Sequence, residues 1–189
     1  MKKIIIFGAT GNVGSYVHKY ACEYFKDRYE VIASGHRQTD FFEKQGQKYV
    51  SVDISRPEEF EKLPQEDVYA VIDLAAQIPS YMKGYHPEKY VQSNIMGAYN
   101  VLEYCRKVHA DRILFSTTVF DISLSATNGT VLKPDMPYNF SYKGDHAVYV
   151  ITKNTSIEFM KHYYAEYGLK YFIFQFIIIV RITTTIRME

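Results

Sequence analysis

The sequence predicts a single α/β domain built on a doubly wound parallel sheet. Short β-branched runs alternate along the chain with longer segments of helical period, which is the pattern of repeated strand–helix units. The runs IIIF at 4–7 and VI at 71–72 are apolar on both faces of a strand, as expected when helices cover both sides of a parallel sheet. With 189 residues the chain is long enough for one large domain with a substantial core.

The order of these segments sets the expected elements. The expected strands cover residues 3–7, 30–34, 49–52, 70–74, 112–116 and 169–176. The expected helices lie between them, over residues 12–25, 40–45, 57–63, 87–108 and 146–167. Right-handed crossovers then place helices on both faces of the sheet. The longest irregular stretch, 120–145, is expected to cross the edge where a ligand binds.

Composition excludes several classes of function. The formal charge of +1 and the pI near 7.7 provide no strong field for nucleic acid or an acidic membrane surface. Two distant cysteines, Cys22 and Cys105, predict neither a disulfide framework nor a zinc site, and a reducing cytoplasm fits them best. The longest apolar run, 171–180, is about half of the roughly 20 residues that a membrane helix needs. No metal site is expected, and the following histidines are interpreted as surface or cap residues: His18, His86, His109, His146 and His162.

A glycine-rich turn follows the first strand directly and opens the first helix. Gly8 permits a tight turn, Gly11 lets the backbone approach a diphosphate, and Gly14 lets the helix pack closely on the sheet. The free N–H groups at a helix N-terminus favour an anion there. The turn therefore predicts a dinucleotide site in a Rossmann fold, with these cofactor contacts: Gly8, Thr10, Gly11, Asn12, Val13 and Gly14.

The spacing Gly-x-x-Gly-x-x-Gly resembles the extended short-chain dehydrogenase/reductase family, which includes NAD-dependent epimerases and dehydratases of nucleotide sugars. The segments SVDIS at 51–55, AVIDLAA at 70–76 and PEKYVQSNIMGAYNVLEYCRK at 87–107 are also similar to the family, in the same order. The resemblance implies that Asp53, with Ile54, lies at the adenine. It also implies that the following residues lie along the cofactor: Leu74, Ala75, Ala76 and Asn94.

Tyr149 and Lys153 match the family's Tyr-x-x-x-Lys pair, and residues four apart share one face of a helix. The resemblance implies that Tyr149 is the general acid/base of hydride transfer and that Lys153 holds the ribose hydroxyls. The ammonium, with a positive nicotinamide ring, is expected to lower the tyrosine pKa from about 10 toward the working pH. A third catalytic group is expected after the fifth strand, where Thr118 is the first choice and Thr117 the alternate; Phe120-Asp121 replaces the family's usual Tyr-Gly.

The second strand ends without the acidic residue that would bind an NAD ribose. The chain reads ASGHR at 33–37, so Arg37 is available to pair with a 2′-phosphate. The sequence therefore slightly favours NADP over NAD.

The end of the chain departs from the family. Gln175 stands where an Arg is expected and no proline follows, so residues 1–176 are assigned to the NAD(P)-binding domain and 177–189 to an atypical tail. Family members are considerably longer, which predicts a truncated chain whose substrate domain is largely absent. Two functions remain open: an oxidoreductase, epimerase or dehydratase acting on a small molecule such as a nucleotide sugar, or a catalytically silent NAD(P)-binding protein. A homodimer through the helices over 87–108 and 146–167 is allowed, although the same aromatic side chains could pack within one chain.

Overall fold

The computed structural model describes residues 1–79, 84–126, 129–131, 133 and 136–176. Six parallel strands form one sheet in the order β3-β2-β1-β4-β5-β6. The strands are β1 (Lys3–Phe7), β2 (Glu30–Gly35), β3 (Lys48–Ser51), β4 (Val68–Asp73), β5 (Arg112–Thr118) and β6 (Lys170–Phe176). The helices are α1 (Asn12–Phe25), α2 (Pro87–Tyr90), α3 (Gly97–Lys107) and α4 (Asp145–Tyr167). The expected doubly wound sheet is confirmed.

The direction in which successive strands are added to the sheet reverses at β1. The chain runs from β1 through β2 to β3 at one edge, and then returns to add β4, β5 and β6 on the other side of β1. In open parallel sheets a crevice forms beyond the carboxyl ends of the strands at such a reversal, and ligands bind there. The ends of β1, β2 and β4 are therefore the place to look for a site.

Two apolar layers cover the sheet, because alternate residues of a strand face opposite sides. On one side Ile5 and Phe7 pack with Val71 and Phe115 of the neighbouring strands against the buried faces of α3 and α4. On the other side Ile4, Ile6 and Ala33 are among the residues that pack near α1, together with Phe42. The two-sided apolar runs of the sequence thus reflect burial on both faces.

Three of the expected helices differ in the structure. Only a short 3₁₀ turn, Glu43–Gln45, forms within 40–45, because six residues hardly repay helix nucleation and Gly46 ends the turn at φ +69°. Pro57–Lys62 is also a 3₁₀ helix. The expected helix over 87–108 is continuous but contains a π-helical segment, Val91–Met96, between α2 and α3.

His18 was expected at the surface, and this prediction is wrong. The side chain is 1 % exposed and its ring packs edge-on against Phe42, with ring centroids 5.0 Å apart. Burial lowers the pKa of His18 to about 4, since the charged imidazolium would lose its hydration. His18 is therefore a neutral core residue on the inner face of α1.

The tail predicted over 177–189 lies outside the described residues. Within the part of the chain that is described, no helix combines the length and the apolar character needed to cross a bilayer.

Candidate active site

The glycine turn is built by close backbone packing between β1 and α1. Gly8 has φ +75°, a conformation that side chains disfavour, and Ala9 N donates to Ser34 O of β2 at 2.9 Å. A Cβ on Gly14 would lie 2.0 Å from Gly8 O, so position 14 has room only for hydrogen. Gly11 is the N-cap of α1 and supplies no side-chain cap, which leaves the first amides of the helix facing the carboxyl edge of the sheet.

The end of β2 lies against this turn. A Cβ added to Gly35 would lie 2.9 Å from Thr10 Oγ1, and the Tyr49 hydroxyl donates to the carbonyl oxygens of Gly35 and Arg37. An acidic side chain at position 35 would displace Thr10. Arg37 follows directly and is exposed to solvent.

The residues matched to the adenine contact lie just after β3. The Asp53 Oδ1 atom accepts hydrogen bonds from Ser55 N at 3.0 Å and from Ser55 Oγ at 2.7 Å, which folds the chain back sharply. Ile54 is buried under α3, and its carbonyl accepts a hydrogen bond from Asn100 Nδ2 at 2.9 Å. Asp53 itself is half-buried at the rim of the sheet.

The segment after β4 passes directly beside the glycine turn. Leu74 N donates to Phe7 O at 3.1 Å, and a Cβ on Gly8 would meet the backbone of Leu74 and Ala75 at 2.8 Å. Ala75 N donates in turn to Asp73 Oδ1 at 3.1 Å. The structure thus brings together two of the predicted cofactor segments that lie far apart in the sequence.

Asn94 ties that segment to helix α4. Its Oδ1 accepts from Gln77 N at 2.8 Å, while its Nδ2 donates to Gln77 O and to Thr152 Oγ1, each at 3.1 Å. Ser156 Oγ donates to Asn94 O at 2.7 Å. The side chain of Asn94 is 2 % exposed and within these contacts acts as a structural bridge.

Lys153 is a buried cation on α4. Its side chain is 1 % exposed, its Nζ lies 4.1 Å from the centroid of the Phe115 ring, and that nitrogen has no hydrogen-bond partner in the described part of the chain. Burial lowers the pKa of Lys153 to about 8, and the negative charge of Asp73 partly opposes that shift. Lys153 is therefore a buried ammonium whose hydrogen-bonding capacity is not used by the described residues.

Tyr149 lies one helical turn before Lys153, but its pKa moves in the direction opposite to the expected one. Burial and the neighbouring Tyr90, whose ring centroid is 6.4 Å away, raise the pKa of Tyr149 to about 12. The expectation that Lys153 lowers this pKa is therefore wrong for the chain alone, because desolvation of the phenolate dominates.

The two candidate hydroxyls after β5 are in different states. Thr118 Oγ1 accepts a hydrogen bond from Phe120 N at 3.2 Å and caps a short 3₁₀ helix, Val119–Ile122. Thr117 Oγ1 is buried and has no partner among the described residues. Thr117 is two residues beyond Phe115, so it shares the face of the sheet that Lys153 covers.

Two residues near the site were missed in the sequence. Asp73 is a carboxylate at the end of an apolar strand, and that position was itself a signal because buried charges are rare. Tyr90 is 0 % exposed beside Tyr149, and its hydroxyl has no partner in the described part of the chain; nothing in its helix-period context marked it.

Comparison with known proteins decides the family. A model of the NAD dependent epimerase/dehydratase family matches residues 4–179. The chain belongs to this family. A putative UDP-glucose 4-epimerase of Methanocaldococcus jannaschii is 27% identical over 181 residues, which are 92% of this chain and 54% of that protein. An uncharacterized protein of the same organism is 22% identical over 184 residues, which are 89% of this chain and 54% of that protein.

Solved structures agree with this family in fold. A UDP-galactose 4-epimerase has a TM-score of 0.75 at 17% identity, over 90% of this chain and 54% of that one. A UDP-glucose 4-epimerase of Thermus thermophilus, in complex with NAD, has a TM-score of 0.73 at 22% identity, over 90% and 53%. A monomeric L-threonine 3-dehydrogenase from a metagenome has a TM-score of 0.71 at 22% identity, over 92% and 53%. This member of the epimerase/dehydratase family spans about half the length of the relatives it matches.

Proposed function

We propose that this chain provides the cofactor-binding part of an NAD(P)-dependent epimerase, dehydratase or oxidoreductase that acts by hydride transfer on a nucleotide sugar or a similar alcohol. The observation that carries the proposal is the arrangement at the carboxyl edge of the sheet. A turn with glycine at positions 8, 11 and 14 lies beside the segment after β4, and helix α4 adds a buried ammonium at Lys153 that has no hydrogen-bond partner among the described residues. Family membership supports the same chemistry.

The residues present fit a dinucleotide. Gly8 and Gly14 allow the tight packing of the turn against the segment after β4 and against α1, and the first-turn amides of α1, which no side chain caps, suit a diphosphate. In this proposal the diphosphate is held by Gly8, Thr10, Gly11, Asn12, Val13 and Gly14. The adenosine lies near Asp53 and Ile54, the middle of the cofactor lies along Leu74, Ala75, Ala76 and Asn94, and Lys153 binds the ribose hydroxyls.

The chain's own residues move the proton. When bound, an oxidised nicotinamide supplies the hydride acceptor and a positive charge. Tyr149, with its pKa raised to about 12, holds its proton at neutral pH, so it needs nearby positive charge to act as a base. Lys153 supplies part of that charge, and Tyr149 Oη then takes the proton of the substrate hydroxyl or returns it in the reverse direction.

A threonine hydroxyl would complete the site by donating a hydrogen bond to the reacting oxygen. Thr118 and Thr117 are both candidates. Two observations support Thr117: its hydroxyl has no partner among the described residues, and it lies on the Lys153 face of β5. Thr118 already caps the 3₁₀ helix.

The choice between NAD and NADP depends on Arg37. The family is described as NAD dependent, whereas the exposed Arg37 guanidinium after β2 favours an additional phosphate. Replacing Arg37 with Gln is expected to weaken NADPH binding about tenfold or more and to leave NADH binding nearly unchanged. Equal effects on the two cofactors would remove Arg37 from the site.

The decisive experiment has two stages. The melting temperature is measured with NAD⁺, NADH, NADP⁺ and NADPH, because a ligand that binds only the folded state raises it. Reduction of the bound cofactor by UDP-glucose or UDP-galactose is then followed by stopped-flow absorbance in the wild type, in Tyr149→Phe and in the exposed control Tyr167→Phe. We expect reduction in the wild type and the control only. No stabilisation by any of the four cofactors would overturn the proposal.

The second candidate is a catalytically silent NAD(P)-binding protein. The observation that favours it is the raised pKa of Tyr149, which keeps the phenol protonated in the chain alone. Tight cofactor binding with no hydride transfer in the wild type would select it.

A homodimer through α3 and α4 belongs to the same proposal. Tyr164 and Tyr167 of α4 are half exposed, whereas Tyr163 packs inside the chain against Tyr99. Sedimentation of the wild type and of Tyr164→Ser tests it, with a smaller assembly expected for the variant.

A further inference from the structure

Asp73 is a carboxylate in a place where carboxylates are rarely found. It ends the central strand β4 and is 1 % exposed. In the sheet register it is paired with Phe7 of β1 on one side and with Phe115 of β5 on the other. An ionised carboxylate between two phenylalanines is costly unless another group compensates its charge.

The compensating charge comes from helix α4. Lys153 Nζ lies over the ring of Phe115, the register neighbour of Asp73, and adjacent strands are only about 4.8 Å apart. The carboxylate and the ammonium therefore occupy the same buried patch under α4. No hydrogen bond joins Lys153 Nζ to any described residue, so the Asp73 carboxylate and the Lys153 ammonium interact electrostatically without a direct hydrogen bond.

The titration of the two groups reflects this arrangement. Burial raises the pKa of Asp73 to about 6, and the lysine charge opposes that rise. Burial lowers the pKa of Lys153 to about 8, and the aspartate charge opposes that fall. Cys105 of α3 also faces this carboxylate, but burial raises its pKa, so it stays a neutral thiol. Between about pH 6 and pH 8 both members of the pair are mainly charged.

We propose that Asp73 is a positioning residue for Lys153, whose buried ammonium it keeps charged and directed to the cofactor edge. The hydrogen bond from Ala75 N to Asp73 Oδ1 fixes the carboxylate and the segment after β4 relative to each other. One carboxylate thus links the segment that is proposed to line the cofactor with the lysine that is proposed to hold it. The inference rests on the proposed function for its catalytic consequence, but the pairing itself does not.

The pairing is tested without cofactor. Urea unfolding is measured from about pH 6 to pH 10 for the wild type, Asp73→Asn, Lys153→Met and the double variant. Because the folded pKa of Lys153 lies below its unfolded value of 10.5, wild-type stability should rise as the pH increases through about 8. Asp73→Asn should move that rise to lower pH by about one unit, and Lys153→Met should abolish it. The surface control Asp111→Asn should leave the rise in place.

A second measurement covers the case in which Asp73→Asn does not fold. The carboxyl ¹³C signal of Asp73 is titrated in the wild type and in Lys153→Met. Loss of the ammonium should raise the pKa of Asp73 by about one unit. Two results would overturn the proposal: an Asp73 pKa that is the same in Lys153→Met as in the wild type, or a rise of stability with pH that occurs at the same pH in Asp73→Asn as in the wild type.

The catalytic consequence is read from the pH profile. In Asp73→Asn the alkaline loss of NAD(P)H binding should begin about one pH unit lower than in the wild type, and binding should recover when the pH is lowered. A merely structural defect would weaken binding at every pH. If the lysine titration shifts in Asp73→Asn but the protein binds no cofactor, the pairing stands and the proposed function is rejected. If the protein binds the cofactor but the lysine titration does not shift in Asp73→Asn, the role of Asp73 is rejected.

Discussion

Gln175 Nε2 of β6 donates a hydrogen bond to Asp121 Oδ2, in the turn after β5, at 3.0 Å. The sequence resemblance implies a glycine at the position of Asp121 and an arginine at that of Gln175, so both residues were expected to depart from the family pattern. The structure brings the two departures into direct contact. Asp121 is 1 % exposed and its Oδ1 has no partner in the described part of the chain, so the glutamine amide is an important support for this carboxyl group.

Replacing Gln175 with Met should destabilise the chain by about 1–3 kcal/mol at pH 7, because a buried carboxylate loses a donor. Burial raises the pKa of Asp121 and the glutamine hydrogen bond lowers it, so the variant raises that pKa further. The difference from the wild type should therefore shrink as the pH falls and Asp121 becomes protonated in both proteins. Urea unfolding at several pH values measures it. The control is Gln175→Met in an Asp121→Asn background, where no carboxylate loses a donor and the loss of stability at pH 7 should be smaller. An equal loss of stability in the two backgrounds would contradict the role of the Asp121 carboxylate.

Two glycine substitutions in the same turn should have unequal effects. Gly14→Ala places a Cβ 2.0 Å from Gly8 O, where backbone must move, whereas Gly11→Ala places it 3.2 Å from the same oxygen. Gly14→Ala should cost more than about 3 kcal/mol of unfolding free energy, and Gly11→Ala less than about 1 kcal/mol. Chemical unfolding of the pair checks the order. Equal losses of unfolding free energy in the two variants would mean that the backbone of the turn can move to accept a Cβ at either position.

The two threonines after β5 should respond in opposite ways. Thr117→Val removes a buried hydroxyl without a partner among the described residues and should leave stability unchanged or raise it by up to about 1 kcal/mol. Thr118→Val removes the cap on Phe120 N and should lower stability by about 1 kcal/mol. If the wild type transfers hydride, Thr117→Val should also lower kcat about 10²-fold. A loss confined to Thr118→Val would assign the catalytic hydroxyl to Thr118.

Replacing Asn94 with Leu should destabilise the chain by about 2–4 kcal/mol, because the backbone N–H and C=O of Gln77 and the hydroxyl of Thr152 each lose a hydrogen-bond partner. Hydrogen exchange of the Gln77 amide should speed up more than that of amides within β1. Asn94→Asp keeps the acceptor for Gln77 N and serves as the matched variant, with a smaller increase expected. Unchanged exchange at Gln77 in Asn94→Leu would show that the segment after β4 is held by other contacts.

His18 should limit stability in acid. Its folded pKa of about 4 lies below the unfolded value of 6.5, so its contribution is complete above pH 6.5 and is lost as the pH falls toward 4. The loss amounts to at most about 3.5 kcal/mol, at about 1.4 kcal/mol for each pKa unit. His18→Phe should remove this part of the acid dependence, whereas the exposed control His162→Phe should not. Parallel acid profiles for wild type and His18→Phe would contradict the assignment.

The local parts of the fold were predictable from the sequence. The two-sided apolar run of β1 and the spacing of Gly8, Gly11 and Gly14 predicted the strand, the turn and the helix, because each depends on neighbours within a few residues. The alternation of short β-branched runs with segments of helical period predicted the doubly wound sheet, which the structure and the family match confirm.

Long-range electrostatics were not predictable in the same way. The raised pKa of Tyr149 depends on burial beside Tyr90, which is distant in the sequence, and no periodicity reports that contact. The field between Asp73 and Lys153 arises only when α4 packs against β5, beside the end of β4. The π-helical segment likewise escaped notice, because one additional residue hardly disturbs an apolar helical pattern.

The π-helical segment Val91–Met96 also affects how the chain can tolerate a change of length. Because a π turn holds one residue more than an α turn, a single deletion there would allow an unbroken α-helix from Pro87 to Lys107. Since the π turn and the α turn that replaces it each complete about one revolution, the residues before the deletion would keep their direction around the helix axis relative to those after it. Tyr90 would therefore stay beside Tyr149 and α3 would keep its packing on the sheet, so a chain shortened by one residue here should still fold with its two phenols adjacent.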